Sequence, residues 1–138
     1  MTTDPYDDAA CVDEWRRRLG DHLDPAELTR AFERAFRLVW NAAQLTLGDV
    51  TLAAIADRVL FDAAEAHPLL GSVRLDAAGI SCEELERKAA ALDRGDLEKA
   101  MRTMLVSLLE VLGRLTAGVL TPLLHAALSD DRDEESAT

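Results

Sequence analysis

The sequence predicts an all-α protein, a single-domain bundle of about five helices around a long, apolar C-terminal helix at residues 97–128, kinked near Pro122. Between positions 104 and 124 only Glu110 and Arg114 are charged. Hydrophobic residues make up 49% of the chain but aromatic residues only 4%, so Leu, Ala and Val must form most of the core. An Asp-Pro pair, which is typical of a helix start, occurs twice in the first 25 residues.

The C-terminal helix carries an apolar seam with alternating spacings of four and three residues, a period of about 3.5. Its members are Leu97, Met101, Met104, Leu108, Val111 and Leu115. A second apolar row beside it consists of Leu105, Leu109, Leu112, Val119 and Leu123. We expect Asp96 to cap this helix, and the ring of Pro122 to bend it at Gly118. A helix that is apolar on most sides must be covered by protein.

A membrane span is the alternative interpretation of this segment, since about 20 apolar residues suffice to cross a bilayer. Glu110 and Arg114 lie in its middle, where each charge costs about 2.5–3.5 kcal/mol. Both flanking sequences are polar and acidic. We therefore expect no membrane insertion.

The N-terminal part predicts two helices that start at Asp-Pro pairs. The first spans residues 5–19 after Asp4 and ends in the three consecutive arginines 16–18. Such a run usually complements the negative end of the helix dipole, and a phosphate site is the alternative. The second helix follows Asp24, gains a capping box from Glu27, and runs to Leu47 before Gly48.

The second helix carries the only net basic face of the protein. Its outward residues are Arg30, Glu33, Arg34, Arg37, Asn41 and Gln44. The simplest interpretation is a solvated surface. The alternative is a docking face, formed by Arg30, Arg34 and Arg37, for an acidic partner or for the acidic tail of the chain.

The middle of the chain predicts two further helices and an irregular segment. Asp49 is the expected cap of a helix at residues 50–66, which His67-Pro68 ends. The segment 67–80 has no helical period but is too apolar for a free loop, so we expect it to pack over one end of the bundle. Its conformation and role stay open, with a short extended piece as one option. A capping box by spacing at residues 81–84 predicts a helix at 82–93, which Arg94-Gly95 ends before Asp96 begins the last helix.

The net charge of −11 is concentrated at the two ends of the chain. Residues 1–24 contain seven acidic and three basic side chains, and residues 129–138 contain five and one. This field opposes contact with a phosphate backbone, so we expect no nucleic-acid binding. Residues 129–138 have no apolar anchor, and we expect them to form a disordered acidic tail after a domain at residues 1–128.

The expected location is the cytoplasm. The first residues are acidic and polar, unlike a signal peptide. The two cysteines, Cys11 and Cys82, are then expected to be reduced. The high content of Ala, Leu, Arg and Asp indicates a bacterial source with a GC-rich genome.

No motif in the sequence predicts catalysis or a cofactor. The three histidines, His22, His67 and His125, have no partner at a metal-ligand spacing. No Ser or Cys carries a nucleophile signature, and no Gly-rich phosphate loop occurs. We therefore expect no metal, no cofactor and no enzyme activity.

The candidate functional site lies on the C-terminal helix. Glu110 and Arg114 are four residues apart and can pair along the helix, and a solvated intrahelical pair is the simplest interpretation. If two copies crossed antiparallel near residue 112, however, Glu110 would face Arg114 of the mate in both directions, a self-complementary contact. The small residues that would let the two helices approach closely are Ser107, Gly113, Ala117 and Gly118.

Two functions fit these observations. The first is a non-enzymatic helical protein-interaction module, a homodimer that acts through helix surfaces in a bacterial-type signalling or regulatory assembly. The second is a helical bundle that binds a small apolar, lipid-like ligand, with Arg114 or the segment 67–80 orienting its head group.

Overall fold

The computed structural model describes residues 7–76 and 79–131. These residues form six α-helices and one small β-hairpin, so the protein is mainly helical. The helices are α1 (Asp8–Leu19), α2 (Pro25–Leu47), α3 (Asp49–Ala66), α4 (Glu83–Lys88), α5 (Arg94–Leu115) and α6 (Thr121–Ser129). The strands are β1 (Arg74–Asp76) and β2 (Gly79–Ser81), and two 3₁₀ turns span Pro68–Ser72 and Ala89–Ala91.

The single long C-terminal helix was a wrong prediction, because α5 ends at Leu115 and a separate helix, α6, follows. Ala117 has a φ of 52°, in the left-handed region. The amide of Gly118 donates to the carbonyl of Gly113 at 2.7 Å, and the amide of Ala117 donates to the carbonyl of Arg114 at 3.3 Å. This pair of bonds is a Schellman motif, which ends a helix by satisfying its last carbonyls. Pro122 therefore does not kink a helix but lies in the first turn of α6, where its missing N–H costs nothing.

The start of α5 also differs from the prediction. Asp93, not Asp96, is the N-cap, and its side chain accepts from the amide of Asp96 at 3.0 Å. Arg94 and Gly95 thus belong to the first turn of α5 instead of ending the preceding helix. Two aspartates three residues apart both suit a cap, and the earlier one allows one more turn of hydrogen bonds.

The capping predictions for the other helices have mixed outcomes. The capping box of Asp24 and Glu27 on α2 is confirmed. Asp7 caps α1, while Asp4 lies outside the described residues. Asp49 does not cap α3, because Gly48 alone joins α2 to α3 and occupies the cap position.

The capping box predicted at residues 81–84 is also wrong. Ser81 belongs to β2, and Cys82 is the N-cap residue of α4 without a side-chain bond. The amide of Cys82 instead donates to Oε2 of Glu33 on α2 at 2.6 Å. The helix is shorter than predicted, because it ends at Lys88 and a 3₁₀ turn follows.

The segment between α3 and α4 folds onto the bundle as a 3₁₀ turn and a hairpin. Leu75 pairs with Ile80 in the antiparallel ladder. The side chain of Ile80 is buried. Gly79 has a φ of 114°, and a Cβ there would lie 3.0 Å from the ring of Trp40. The segment therefore packs against the side of α2, and Gly79 is required for that close approach.

The helices α2 and α5 run in the same direction. The rings of Trp15 in α1 and Phe32 in α2 lie 5.0 Å apart. Arg16 of α1 pairs with Glu98 of α5 at 3.0 Å. The α1–α2 linker and the first turns of α2 and α5 therefore lie at one end of the bundle, which we call the linker end. The two helices have 23 and 22 residues, so the α2–α3 junction at Gly48 and the last turn of α5 lie at the opposite end, the Gly48 end.

The core of the described part contains the rings of Trp15, Phe32 and Phe36 and many Leu, Ala and Met side chains of α2 and α5. No helix in this part of the chain combines the length and the apolar character needed to cross a membrane. The predicted acidic tail falls mainly on residues 132–138, which lie outside the described residues. Of its first residues, Ser129 is the last of α6 and Asp131 bonds to α1 and α2.

Candidate interaction surfaces

The apolar seam of α5 is covered over most of its length and uncovered at its end. The members up to Leu112 are fully buried in both rows, except for Val111, which is partly buried. Leu115, the last residue of α5, is 62% exposed, and two residues of the predicted seam that lie after α5, Val119 in the turn and Leu123 in α6, are 74% and 46% exposed. Among the described residues, the predicted seam is therefore covered as far as Leu112 and exposed beyond it.

Two more large apolar side chains are exposed at the same end of the bundle. Leu45 and Val50 flank the Gly48 junction and are 89% and 86% exposed. We call these two residues together with Leu115, Val119 and Leu123 the apolar end patch. Exposed apolar residues that are scattered singly are normal, whereas a contiguous group of them can serve as an interaction surface.

Glu110 and Arg114 lie on the outward side of α5 and are both exposed. Within the described residues no ion pair joins them, although their spacing allows one. Ser107, one turn before Glu110, is partly exposed. Three of the predicted site residues thus form an outward stripe that leads directly to Leu115 and the apolar end patch.

The other small residues of the predicted site serve contacts within the chain. Gly113 is buried, and a Cβ added there would lie 2.7 Å from Oγ1 of Thr121. Gly113 therefore faces α6 of its own chain and is not available to a second copy. Ala117 and Gly118 are exposed and form the turn that ends α5, beside Val119.

The predicted docking face on α2 has its arginines already paired. Arg30 binds Glu86 of α4 at 3.1 Å, and Arg37 binds Glu33 at 3.7 Å. Arg34 binds Asp131 at 2.7 Å, and Asp131 opens the acidic C-terminal sequence. A cleft of about 550 Å³ here is lined by three arginines and three acidic residues. The charge of this face is thus balanced from within the chain.

A second cleft, of about 710 Å³, opens at the linker end. Its cationic lining consists of Arg16, Arg17, Arg94, Lys99 and Arg102. We call it the cationic cleft. The arginine triplet is evident in the sequence, but its spacing does not indicate that the first turns of α5 add three more cations.

The arginine triplet itself is divided between two sites. Arg16 and Arg17 line the cationic cleft, while Arg18 points to the end of α6. Its guanidinium donates to the carbonyls of Leu128 and Ser129 at 2.9 Å each. Arg18 thus satisfies the last carbonyls of α6, a role that cations commonly take at helix C-termini.

A histidine and a carboxylate meet inside the protein between α1 and α6. Nε2 of His125 lies 2.7 Å from Oδ1 of Asp8, and both side chains are largely buried. Cys11 is one turn from Asp8 in α1, and burial raises the pKa of its thiol, with the Asp8 charge adding to the effect. A catalytic thiol needs a lowered pKa. The cluster therefore does not have the properties of a Cys–His nucleophile.

The described residues contain no group of three or more His, Cys, Asp and Glu side chains arranged to hold a metal ion. Cys82 is buried and free. Burial, reinforced by the nearby charge of Glu33, raises the pKa of its thiol to about 12. Comparisons with protein-family models, curated proteins and solved structures found no match to this chain.

Proposed function

We propose that this protein is a non-enzymatic interaction module that homodimerises through the Gly48 end of its bundle, in a cytoplasmic regulatory assembly of bacterial type. The observation that supports the proposal is the burial of the α5 seam, which stops after Leu112 while the apolar pattern continues. A second copy would cover what the chain leaves open. Fully burying one Leu or Val side chain contributes roughly 1.5–3 kcal/mol.

The outward stripe of α5 gives this interface a geometry. In an antiparallel crossing of two copies near residue 112, Glu110 of each faces Arg114 of the other. Neither side chain has an ion-pair partner among the described residues, so neither contact must first be broken. The stripe also enlarges the contact area, which reaches about 800 Å² per copy in an ordinary interface.

Charge exchange tests the crossing. Glu110→Arg places two arginines on the stripe of one variant, and Arg114→Glu places two glutamates on the stripe of the other. Each variant alone brings like charges together twice across the two-fold axis and is expected to be monomeric. An equimolar mixture is expected to form a heterodimer, which native mass spectrometry distinguishes by mass.

The apolar part of the interface is tested by Val119→Ser. We expect this variant to weaken the dimer at least about tenfold, which equals 1.4 kcal/mol. Phe61→Ser is the matched control, because Phe61 is also exposed but lies in the second half of α3, about eleven residues from Val50. The proposal is overturned if the wild-type protein is monomeric at about 100 μM, because the dissociation constant of a dimer would then be near 1 mM or weaker. Equal effects of both serine variants contradict the location of the interface.

A further inference from the structure

We propose that the cationic cleft at the linker end binds a small molecule that carries a phosphate or pyrophosphate group. The cleft is lined by five cationic and two acidic side chains, in a chain whose net charge is −11. The cleft on α2 has three of each. Arg16, Arg17 and Arg102 pair with Glu98, Glu14 and Asp13, so Arg94 and Lys99 supply the positive charge that no ion pair balances in the described part of the chain.

The cations of the cleft are held in place by the fold. Arg16, whose side chain is 13% exposed, donates to the carbonyl of Gly20 at 2.7 Å and to Glu98 at 3.0 Å. Arg102 is fixed by two bonds to Asp13, at 2.7 and 3.1 Å. Preorganised donors favour binding because little side-chain freedom is lost when the ligand arrives.

The cleft also has more donors than acceptors. Within the described residues, Nε of Arg16 and Nε of Arg94 are the buried side-chain nitrogens without a hydrogen-bond partner, and both belong to this cleft. A buried donor left unpaired costs about 1–3 kcal/mol. Arg94 uses a second nitrogen for the carbonyl of Asp21 at 3.1 Å. Lys99 is exposed and forms no hydrogen bond or ion pair in the described part of the chain.

These features favour a phosphate-type ligand over a simple carboxylate. Arg94 uses one guanidinium nitrogen for the carbonyl of Asp21 and keeps further N–H donors, and a guanidinium can bind two oxygens of one phosphate. Several cations converge on one cleft, so a ligand with two or more negative charges gains more than a monoanion. The cleft volume of about 710 Å³ falls within the range of about 300–1,000 Å³ of small-molecule sites. A nucleic acid would be repelled by the charge of the rest of the chain.

Calorimetric titration of the full chain with inorganic pyrophosphate tests the site at low ionic strength, where screening is weak. Lys99→Glu is the informative variant, because Lys99 is exposed and unbonded, so the fold does not depend on it. Lys88→Glu is the matched control, since Lys88 is an exposed residue of α4 whose replacement changes the net charge equally. Circular dichroism checks that both variants are folded.

We expect the wild type to bind pyrophosphate with a Kd below about 1 mM, and Lys99→Glu to weaken binding at least about tenfold. Lys88→Glu should leave the Kd within about twofold. A parallel titration with ADP separates two sources of the same group: equal affinity assigns recognition to the pyrophosphate, and tighter binding of ADP extends it to an attached organic part. The proposal is overturned if the wild type shows no binding up to about 10 mM, or if both variants weaken binding equally.

This inference does not depend on the proposed dimer. The cationic cleft and the apolar end patch lie at opposite ends of the bundle, and the charge-exchange variants on α5 leave the cleft residues intact. An experiment that contradicts one of the two proposals therefore leaves the other untouched.

Discussion

The indole N–H of Trp15 donates to Oδ2 of Asp131 at 2.7 Å, although 116 positions separate the two residues. Nε of Arg34 donates to Oδ1 of the same carboxylate, also at 2.7 Å. The Asp131 side chain is only 4% exposed. One buried carboxylate thus joins α1, α2 and the chain that leaves α6, and it satisfies the polar atom of the ring of Trp15, which packs edge-on against Phe32.

Replacement of Asp131 by Ala is expected to lower the free energy of unfolding by about 1.5–3 kcal/mol, because hydrogen bonds to a charged group are lost and a buried indole N–H stays unpaired. Urea denaturation at pH 7 measures the change. Asp130→Ala is the control, since Asp130 is the exposed neighbour in the cleft on α2. Equal losses in the two variants would show that only the overall charge matters.

Much of the fold follows from local sequence signals. The bounds of α2 are predictable because its capping box, its Pro at the first position and Gly48 after its last residue all act within a few residues of the helix ends. The buried part of the α5 seam follows from apolar periodicity alone. Asp131 shows the limit: its partners are distant in sequence, and nothing in an acidic C-terminal stretch identifies the one residue that α1 and α2 bind.

The end of α5 shows a second limit. The apolar pattern continues from Leu112 through Leu115 and Val119, so it predicts a longer helix, whereas the backbone turns at Ala117. That left-handed position is usually taken by Gly, and Ala gives no such signal. The cationic cleft was missed for a different reason, since Arg17 and Lys99 are brought to one cleft by helix packing and not by their spacing.

The backbone conformation of Gly118, in the turn after α5, leads to a testable prediction about stability. Its φ is +82°, and a Cβ there would meet nothing within 4 Å. Gly118→Ala is therefore expected to lower the free energy of unfolding by about 1 kcal/mol, solely because Ala disfavours this backbone conformation. Gly71→Ala is the matched control, because a Cβ at Gly71 also meets open space but its φ is not in the left-handed region. Thermal denaturation of both variants decides, and an equal change in Tm would contradict the backbone explanation.

The thiol of Cys82 is expected to be inert in the folded protein. Its pKa is raised to about 12, first by burial and then by the charge of Glu33, so almost no thiolate is present at pH 8. In a Cys11→Ser variant, a disulfide reagent should label Cys82 only at the rate of unfolding, and fully in denaturant. Rapid labelling without denaturant would refute the burial of this residue.

The same shift makes a prediction for alkaline pH. Because the folded pKa lies above the ordinary value of 9.0 for a cysteine thiol, the unfolded chain releases the proton first. The contribution of Cys82 to stability is thus complete below about pH 9 and is lost as pH rises toward 12. Urea denaturation between pH 8 and 10 should show a shallower decline for Cys82→Ala than for the wild type. Parallel declines would mean that Cys82 does not titrate differently in the two states.

The ion pair between Asp13 of α1 and Arg102 of α5 leads to a prediction for acidic pH. The bonds from Arg102 lower the pKa of the Asp13 carboxyl below its ordinary value of 3.8, and the charge of Arg102 acts in the same direction. The unfolded chain therefore binds the proton first, so this contribution is present above pH 3.8 and is lost as pH falls. Asp13→Asn should be less stable than the wild type at pH 7, and the difference in the free energy of unfolding should narrow as pH falls from about 5 to 3.

Asp57→Asn is the control, because Asp57 is an exposed residue of α3 with no ion-pair partner in the described part of the chain. A wild-type advantage over Asp13→Asn that stays constant with pH would rule out titration of Asp13 as its origin.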